Sequence, residues 1–313
     1  MRVISSLENC LQPTQVALGN FDGVHLGHRA VIETLLPAGL NAVASGCSEA
    51  RGHATVVSFN PHPQVFFSGQ SKPLLTVLPE KVELLQALGV EQLVLLPFDR
   101  ALADLTPEEF VEKILVRQLQ AKKISVGFNF CFGRNRSGTV EDLQTIAHQY
   151  SIPVRVVPPE TIEGTQVSSS EIREALSTGN IHRANRFLGR TYALTGTVVE
   201  GQKLGRTLGF PTANLSVSEQ KLIPRQGVYR VEVSGPTLTQ KQMGVMNIGL
   251  RPTVDGTRQT LEVHLLDWSG DLYGNTVTVS LEQFLRPEQK FESLDALKDQ
   301  IRHDCEQARS QSI

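Results

Sequence analysis

The sequence predicts two domains of different class. The first is a doubly wound α/β domain with a parallel sheet and helices on both faces; the second is a small antiparallel β-barrel with a C-terminal helix. Three observations carry this. The first half alternates short apolar runs with helical periodicity, the pattern switches at Tyr192 to closely spaced strands and turns, and residues 293–310 return to an amphipathic helical period. A length of 313 residues suits two domains on a prior of roughly 100–200 residues each. The change of period places them at 1–187 and 188–313.

The strands of the first half are short, rich in β-branched residues and bounded by Gly, Pro or polar residues. They read as 15–19, 54–59, 92–98, 122–128 and 153–159. Helical segments 26–36, 79–89, 106–121 and 139–150 lie between them. Thr106, Pro107 and Glu109 give the third a cap, a proline at its first position and an acid in its first turn. Repeated β–α units imply a mostly parallel sheet, which binds ligands at the carboxyl ends of its strands. Residues 37–54, small and polar, read as a long surface loop. Two further helices fill 167–190, the first capped from Ser168–Ser170 and ended by STGN. Beyond Tyr192 the strands read as 192–201, 227–235, 241–250, 260–268 and 275–285. Several alternate strictly, as Val228, Arg230 and Glu232 do against Tyr229, Val231 and Val233. Strands of this kind build a small barrel.

Composition narrows the function classes. A net charge of −2 offers no general grip on nucleic acid. No apolar run approaches the ~18 residues of a membrane span, and MRVISSLENC lacks the apolar core of a signal peptide. The cytoplasm is the expected compartment. Cys10, Cys47, Cys131 and Cys305 form no C-x-x-C pair, which argues against a zinc site or a disulfide framework.

The stretch GNFDGVHLGH (19–28) joins the first strand to the first helix. His25 and His28 fall on the first helical turn at i, i+3 and face one side; a zinc protease would need His-Glu-x-x-His. A helix N-terminus is an anion site, and Gly23 and Gly27 let backbone approach a phosphate. Two imidazoles there would donate to phosphate oxygens as charge builds up. Three more segments follow strands. FNPHP (59–63) makes a rigid bend from which His62 projects. GFNFCFGRNRSG (127–138) mixes aromatics, glycines and arginines suited to a ring and a phosphate. SSSEIR (168–173) starts a helix from which Arg173 would reach a polyphosphate.

The second half carries EGQKLGRTLGFPTANL (200–215), whose glycines and basic residues suit a loop over nucleotide phosphates without being a Walker A motif. Thr212 and Asn214 are oxygen ligands spaced for magnesium. Glu262 and His264 alternate with apolar residues and share a face. Glu262 is a base if that face lines the pocket, and an ordinary exposed strand residue if it does not.

GNFDGVHLGH resembles the H-x-G-H signature of the nucleotidyltransferase superfamily, whose domain is Rossmann-like. With FNPHP, GFNFCFGRNRSG and SSSEIR in that order, the first half resembles the adenylyltransferase module of the bacterial bifunctional riboflavin kinase/FAD synthetase family. GRTLGFPTANL, GVYRVEV, VMNIGLRPTV, LEVHLLDWSGDLYG and LRPEQKFESLDALKDQI resemble its riboflavin kinase module, so the resemblance covers nearly the whole chain. It implies a transferase with two activities. Riboflavin would be phosphorylated to FMN with ATP in the second half, and FMN adenylylated to FAD with a second ATP, releasing pyrophosphate, in the first.

The resemblance also implies roles. His25, His28 and Arg173 would act on the phosphates of adenylyl transfer, with Gly19, Asp22, Gly23, Gly27, Asn129, Ser168, Ser169 and Ser170 around the nucleotide. Asn60, Pro61 and His62 would lie by the flavin. In the kinase half Glu262 would be the catalytic glutamate, Thr212 and Asn214 the metal ligands, and Gly205 and Arg206 nucleotide contacts. Arg286 and Phe291 would belong to a flavin-facing C-terminal segment. Mg2+ would accompany ATP. The implied partners are small molecules, without nucleic acid or membrane, in a monomer or weak homo-oligomer. Three features depart from the family pattern: Asn60 where Asp is common, Ser170 where Thr is common, and a longer 37–54 loop. Asn60 keeps one alternative open, a riboflavin kinase with a vestigial first module. Glu262 and PTAN oppose a flavin-sensing protein without turnover.

Overall fold

Every residue of the strand Thr14–Leu18 is buried, as happens where a sheet is covered on both faces. The sheet is parallel and has six strands: β1 (Arg2–Ile4), β2 (Thr14–Leu18), β3 (His53–Asn60), β4 (Gln92–Pro97), β5 (Ala121–Gly127) and β6 (Val154–Val157). Their order is β1-β4-β3-β2-β5-β6. The structure is a computed structural model that describes residues 1–36, 52–201, 209–253 and 256–310. Contacts divide the chain into two units, Met1–Ser168 and Ser169–Ile313.

In the first unit the helices are α1 (Leu26–Glu33), α2 (Pro63–Ser68), α3 (Leu78–Ala87), α4 (Arg100–Ala103), α5 (Pro107–Glu109) and α6 (Val140–Gln149). The period of two sorts each strand between two cores. Val16 and Leu18 pack with Phe110, Ile114, Leu143 and Ile146 on one face. Ala17 packs with Val31, Ile32 and Leu85 on the other. From β2 the chain runs outward through β3 and β4, then returns to β5 and β6 on the opposite side. Ligand crevices form at the carboxyl ends where strand order reverses in this way. Those ends carry GNFDGVHLGH after β2 and GFNFCFG after β5.

Several expectations shift. Thr106 and Glu109 form the expected capping box, but α5 continues as a π-helical stretch, Phe110–Gln118. It stops short of the expected 121, because Gln120 turns the chain at φ 46° and Ala121 opens β5. Of the expected 37–54 loop, His53 and Ala54 belong to β3, where they pair with Thr14 and Gln15; residues 37–51 lie outside the described residues. A hairpin, β7 (Thr161–Ile162) and β8 (Thr165–Gln166), turns through Glu163 (φ 51°) and Gly164 (φ 76°). Two left-handed residues are what a tight hairpin turn of matching twist requires.

The second unit opens with α7 (Ser169–Thr178) and α8 (Ile181–Leu188). Six antiparallel strands follow: β9 (Tyr192–Val199), β10 (Ala213–Val217), β11 (Gly227–Ser234), β12 (Gln242–Thr253), β13 (Gly256–Leu265) and β14 (Thr276–Arg286). They close into a barrel in the order β10-β13-β12-β11-β14-β9, which leaves no sheet edge. α8 packs on β9 and β14. Asn185 pins it there, donating from Nδ2 to the Leu281 carbonyl at 2.9 Å and accepting the Tyr192 amide at 2.7 Å. The C-terminal helix, α9 (Leu294–Ser310), buries Cys305 and Ala308 against Val228 and Val245 of the barrel.

Candidate functional site

At the carboxyl end of β2 the chain turns through Gly19–His25 into α1. Phe21 (φ 50°), Gly23 (φ 92°) and Val24 (φ 41°) are all left-handed. For a β-branched residue that conformation is strained. Phe21 and Val24 are each 1 % exposed, so the packing of their side chains holds the strain. The polar groups of the turn are clamped from elsewhere. Asp22 Oδ1 accepts the Thr76 amide at 3.1 Å, and the Gly23 amide donates to Thr76 Oγ1 at 3.0 Å. Lys81 Nζ, on α3, donates to the Asn20 carbonyl at 2.9 Å; Ser58 Oγ, on β3, reaches the same oxygen at 3.1 Å. Burial pushes the Lys81 ammonium below the usual lysine range, and the nearby Asp22 carboxylate works against it. Asp22 thus supports the turn.

His25 is the N-cap of α1 and is buried. Its Nδ1 accepts the His28 amide at 3.3 Å. An accepting Nδ1 leaves the proton of the neutral ring on Nε2. The His25 and His28 rings stack, with centroids 3.6 Å apart and planes 18° apart, and Phe21 meets His28 edge-on at 5.3 Å. The i, i+3 spacing thus gives two imidazoles on one face at a helix mouth. Gly27 makes room for this: a Cβ there would stand 3.3 Å from His25 Cε1.

After β3, Asn60 and Pro61 are exposed, and His62 caps α2 by accepting the Gln64 amide at 3.1 Å. The segment read as a bend also delivers aromatics. Phe66 and Phe67 of α2 and Phe98, just past β4, meet edge to face with centroids 5.2–5.8 Å apart, and Phe59 joins them at 5.7 Å. Phe67 is 66 % exposed, a large apolar surface beside FNPHP that sequence reasoning missed. After β5, Asn129 is exposed, Phe130 stacks on Phe132, and Phe110 meets Phe132 at a tilt. Ser168 is the last residue of the first unit; Ser169, Ser170 and the half-buried Arg173 lie in α7, in the second.

On the barrel, Leu261, Val263 and Leu265 face the core, so Glu262 and His264 stand on the outer face. Register sets Asn214 directly opposite Glu262, and Asn247 opposite Glu262 on its other side. Residues directly opposite share a face, so the three form one polar rung across β10, β13 and β12. Asn247 also donates from Nδ2 to Glu288 Oε1 at 3.4 Å. Thr212 lies one residue ahead of β10, and His264 Nδ1 lies 2.8 Å from the Pro211 carbonyl beside it. A Cβ on Gly201 would stand 2.0 Å from Asn214 Nδ2, so the amide lies directly over that glycine. Gly205 and Arg206 lie outside the described residues. Arg286 forks onto the buried Asp304, with Nε and Nη2 2.8–3.1 Å from its carboxylate oxygens, and sits 5.8 Å over the Phe291 ring.

A riboflavin kinase family model matches residues 188–312, and an FAD synthetase family model matches residues 7–171. The chain is 41 % identical over 310 residues to the bifunctional riboflavin kinase/FMN adenylyltransferase of Escherichia coli (strain K12), covering 97 % of this chain and 96 % of that one. The chain belongs to this bifunctional family. A member from Pseudomonas fluorescens is 38 % identical, covering 99 % of this chain and 97 % of that one, and one from Listeria monocytogenes is 36 % identical, covering 94 % and 91 %. A solved structure, described as a macrolide-efflux protein from Streptococcus pneumoniae, matches with a TM-score of 0.86 and 32 % identity over 99 % of both chains. Among the described residues, no helix is long and apolar enough to cross a membrane.

Proposed function

We propose that the chain makes FMN from riboflavin in its barrel half and FAD from FMN in its α/β half, each step consuming ATP. One observation carries the reading. Two family models with these two activities occupy successive halves of the chain, and relatives bearing both names align along nearly all of it. We assign the modules as 1–187 and 188–313. The alternative of a kinase with a vestigial first module rests on Asn60 alone, while the FAD synthetase model matches the first half through residue 171.

In the kinase step the riboflavin 5′-hydroxyl attacks the γ-phosphate of ATP, ADP leaves, and Glu262 accepts or orients the hydroxyl proton. Thr212 and Asn214 would hold Mg2+, which supplies charge neutralisation on the phosphates when bound. Their neutral hard oxygens suit an ion that takes its other ligands from phosphate and water. Among the described residues no group of three or more His, Cys, Asp or Glu gathers for a metal. Phe291 faces the flavin, and Arg286 fixes the corner that carries it, through Asp304.

In the adenylylation step the FMN phosphate attacks the α-phosphate of ATP and pyrophosphate leaves. A phosphate is already a nucleophile at neutral pH, so the protein supplies position and charge. The first amides of α1, with His25 and His28, hold phosphate oxygens. The rings of Phe66, Phe67 and Phe98 offer a stacking surface for the flavin by Asn60, Pro61 and His62. The reading is of a cytoplasmic enzyme acting on small molecules, as a monomer or weak homo-oligomer. Chromatography of riboflavin, ATP and Mg2+ incubated with the chain tests it. FMN appears first and FAD follows; accumulation of FMN without FAD returns the kinase-only alternative.

A further inference from the structure

We infer that His264 is a positioning residue of the kinase reaction, fixing the segment that presents Thr212 and Asn214 by donating from Nδ1 to the Pro211 carbonyl. The inference rests on the reading of Thr212 and Asn214 given above.

β10 begins at Ala213, paired with Val263, and Asn214 follows opposite Glu262. Continuing that register by one residue sets Thr212 against His264. At 211 the chain has proline, with no amide to donate to the ladder. A side chain takes over: His264 Nδ1 stands 2.8 Å from the Pro211 carbonyl. A carbonyl only accepts, so the proton is on Nδ1. The ring is held by Phe210, which meets it edge-on at 5.6 Å and packs on the cluster under α9. Thr212 is thereby caught between two fixed points on one strand, Pro211 held by His264 and Asn214 in register with Glu262. The strand that carries the proposed base thus also sets where the metal-holding oxygens stand. Without the His264 donor, Thr212 would swing about Ala213 while the barrel stays closed.

The test uses the full chain with His264→Ala and His264→Asn, whose amide would place an N–H donor near the position of Nδ1–H. Riboflavin phosphorylation is measured against Mg2+ concentration, and Mn2+ binding in the presence of ADP is followed by electron paramagnetic resonance. Quenching of riboflavin fluorescence reports a folded barrel, and adenylylation of supplied FMN serves as an internal control. For His264→Ala the Mg2+ requirement rises and Mn2+ binding weakens together by about 10- to 100-fold, as for other residues that orient metal ligands. Riboflavin binding and FMN adenylylation stay unchanged, and His264→Asn recovers most of the metal affinity. Unchanged metal dependence in His264→Ala overturns the inference, as does a fall in kcat with Mn2+ binding intact. If His264→Ala loses riboflavin binding, His264→Asn decides: near-native Mn2+ affinity supports the inference and a loss overturns it. A wild-type chain that makes no FMN overturns the proposed function itself, and this inference with it.

Discussion

Lys81 and Thr76 hold the Asn20–Gly23 turn from 61 and 53 positions away in sequence. Lys81→Met keeps the unbranched stem to the ε position and removes the donor to the Asn20 carbonyl. Misplacing a reacting group by about 1 Å costs on the order of 100-fold in rate. FMN-to-FAD conversion should fall by about that factor while riboflavin phosphorylation stays intact; equal loss of both activities would point to general unfolding instead. Gly201→Ala puts a methyl where the Asn214 amide now lies. The far end of a side chain yields more readily than backbone, so the fold survives and Asn214 moves. Riboflavin phosphorylation should fall at least about 10-fold with an unchanged melting temperature. Long-range clamps such as Lys81, and convergences such as Phe66 with Phe98, leave no local pattern in a sequence. The i, i+3 histidines and the PTAN oxygens do, because both members of each pair sit on one local element.

At the scale of elements, α9 shows which contacts decide. Its Arg309–Asp267 pair is exposed and screened by solvent, so it decides little. Asp304, 2 % exposed, accepts Arg286 bidentately and Gln300 at 2.9 Å. Asp304→Ala leaves a guanidinium without its counter-charge and should cost about 3–5 kcal/mol by denaturant titration. The neighbouring Cys305 thiol is pushed up to about 11 by burial. The folded chain therefore keeps a proton that the unfolded chain loses from about pH 9 upward, and stability falls as pH rises from 9 to 11. Melting curves of the chain and of Cys305→Ala should converge over that window. The elements hardest to foresee were the shortest. β1 has three residues with one buried, too few for alternation to register. β10 is five residues in a stretch whose Thr and Asn read first as ligands. The switch from α5 to π-helical winding changes hydrogen bonding without changing composition.

At the scale of the molecule, two architectures on one chain were legible from a change of period alone. Strands of the first half are apolar runs because both faces of a parallel sheet are covered; in the second, β13 alternates buried Leu261, Val263 and Leu265 with Glu262 and His264 on the outer face. The substrate was not legible in that way and came from motif order across both halves. If each half carries its own chemistry, supplied FMN separates the two. Glu262→Ala given FMN, ATP and Mg2+ should form FAD at the wild-type rate, yet form no FMN from riboflavin. His28→Ala should do the reverse, accumulating FMN without FAD. Loss of both activities in a folded Glu262→Ala chain, or normal FAD output from His28→Ala, would rule out this division of the chemistry.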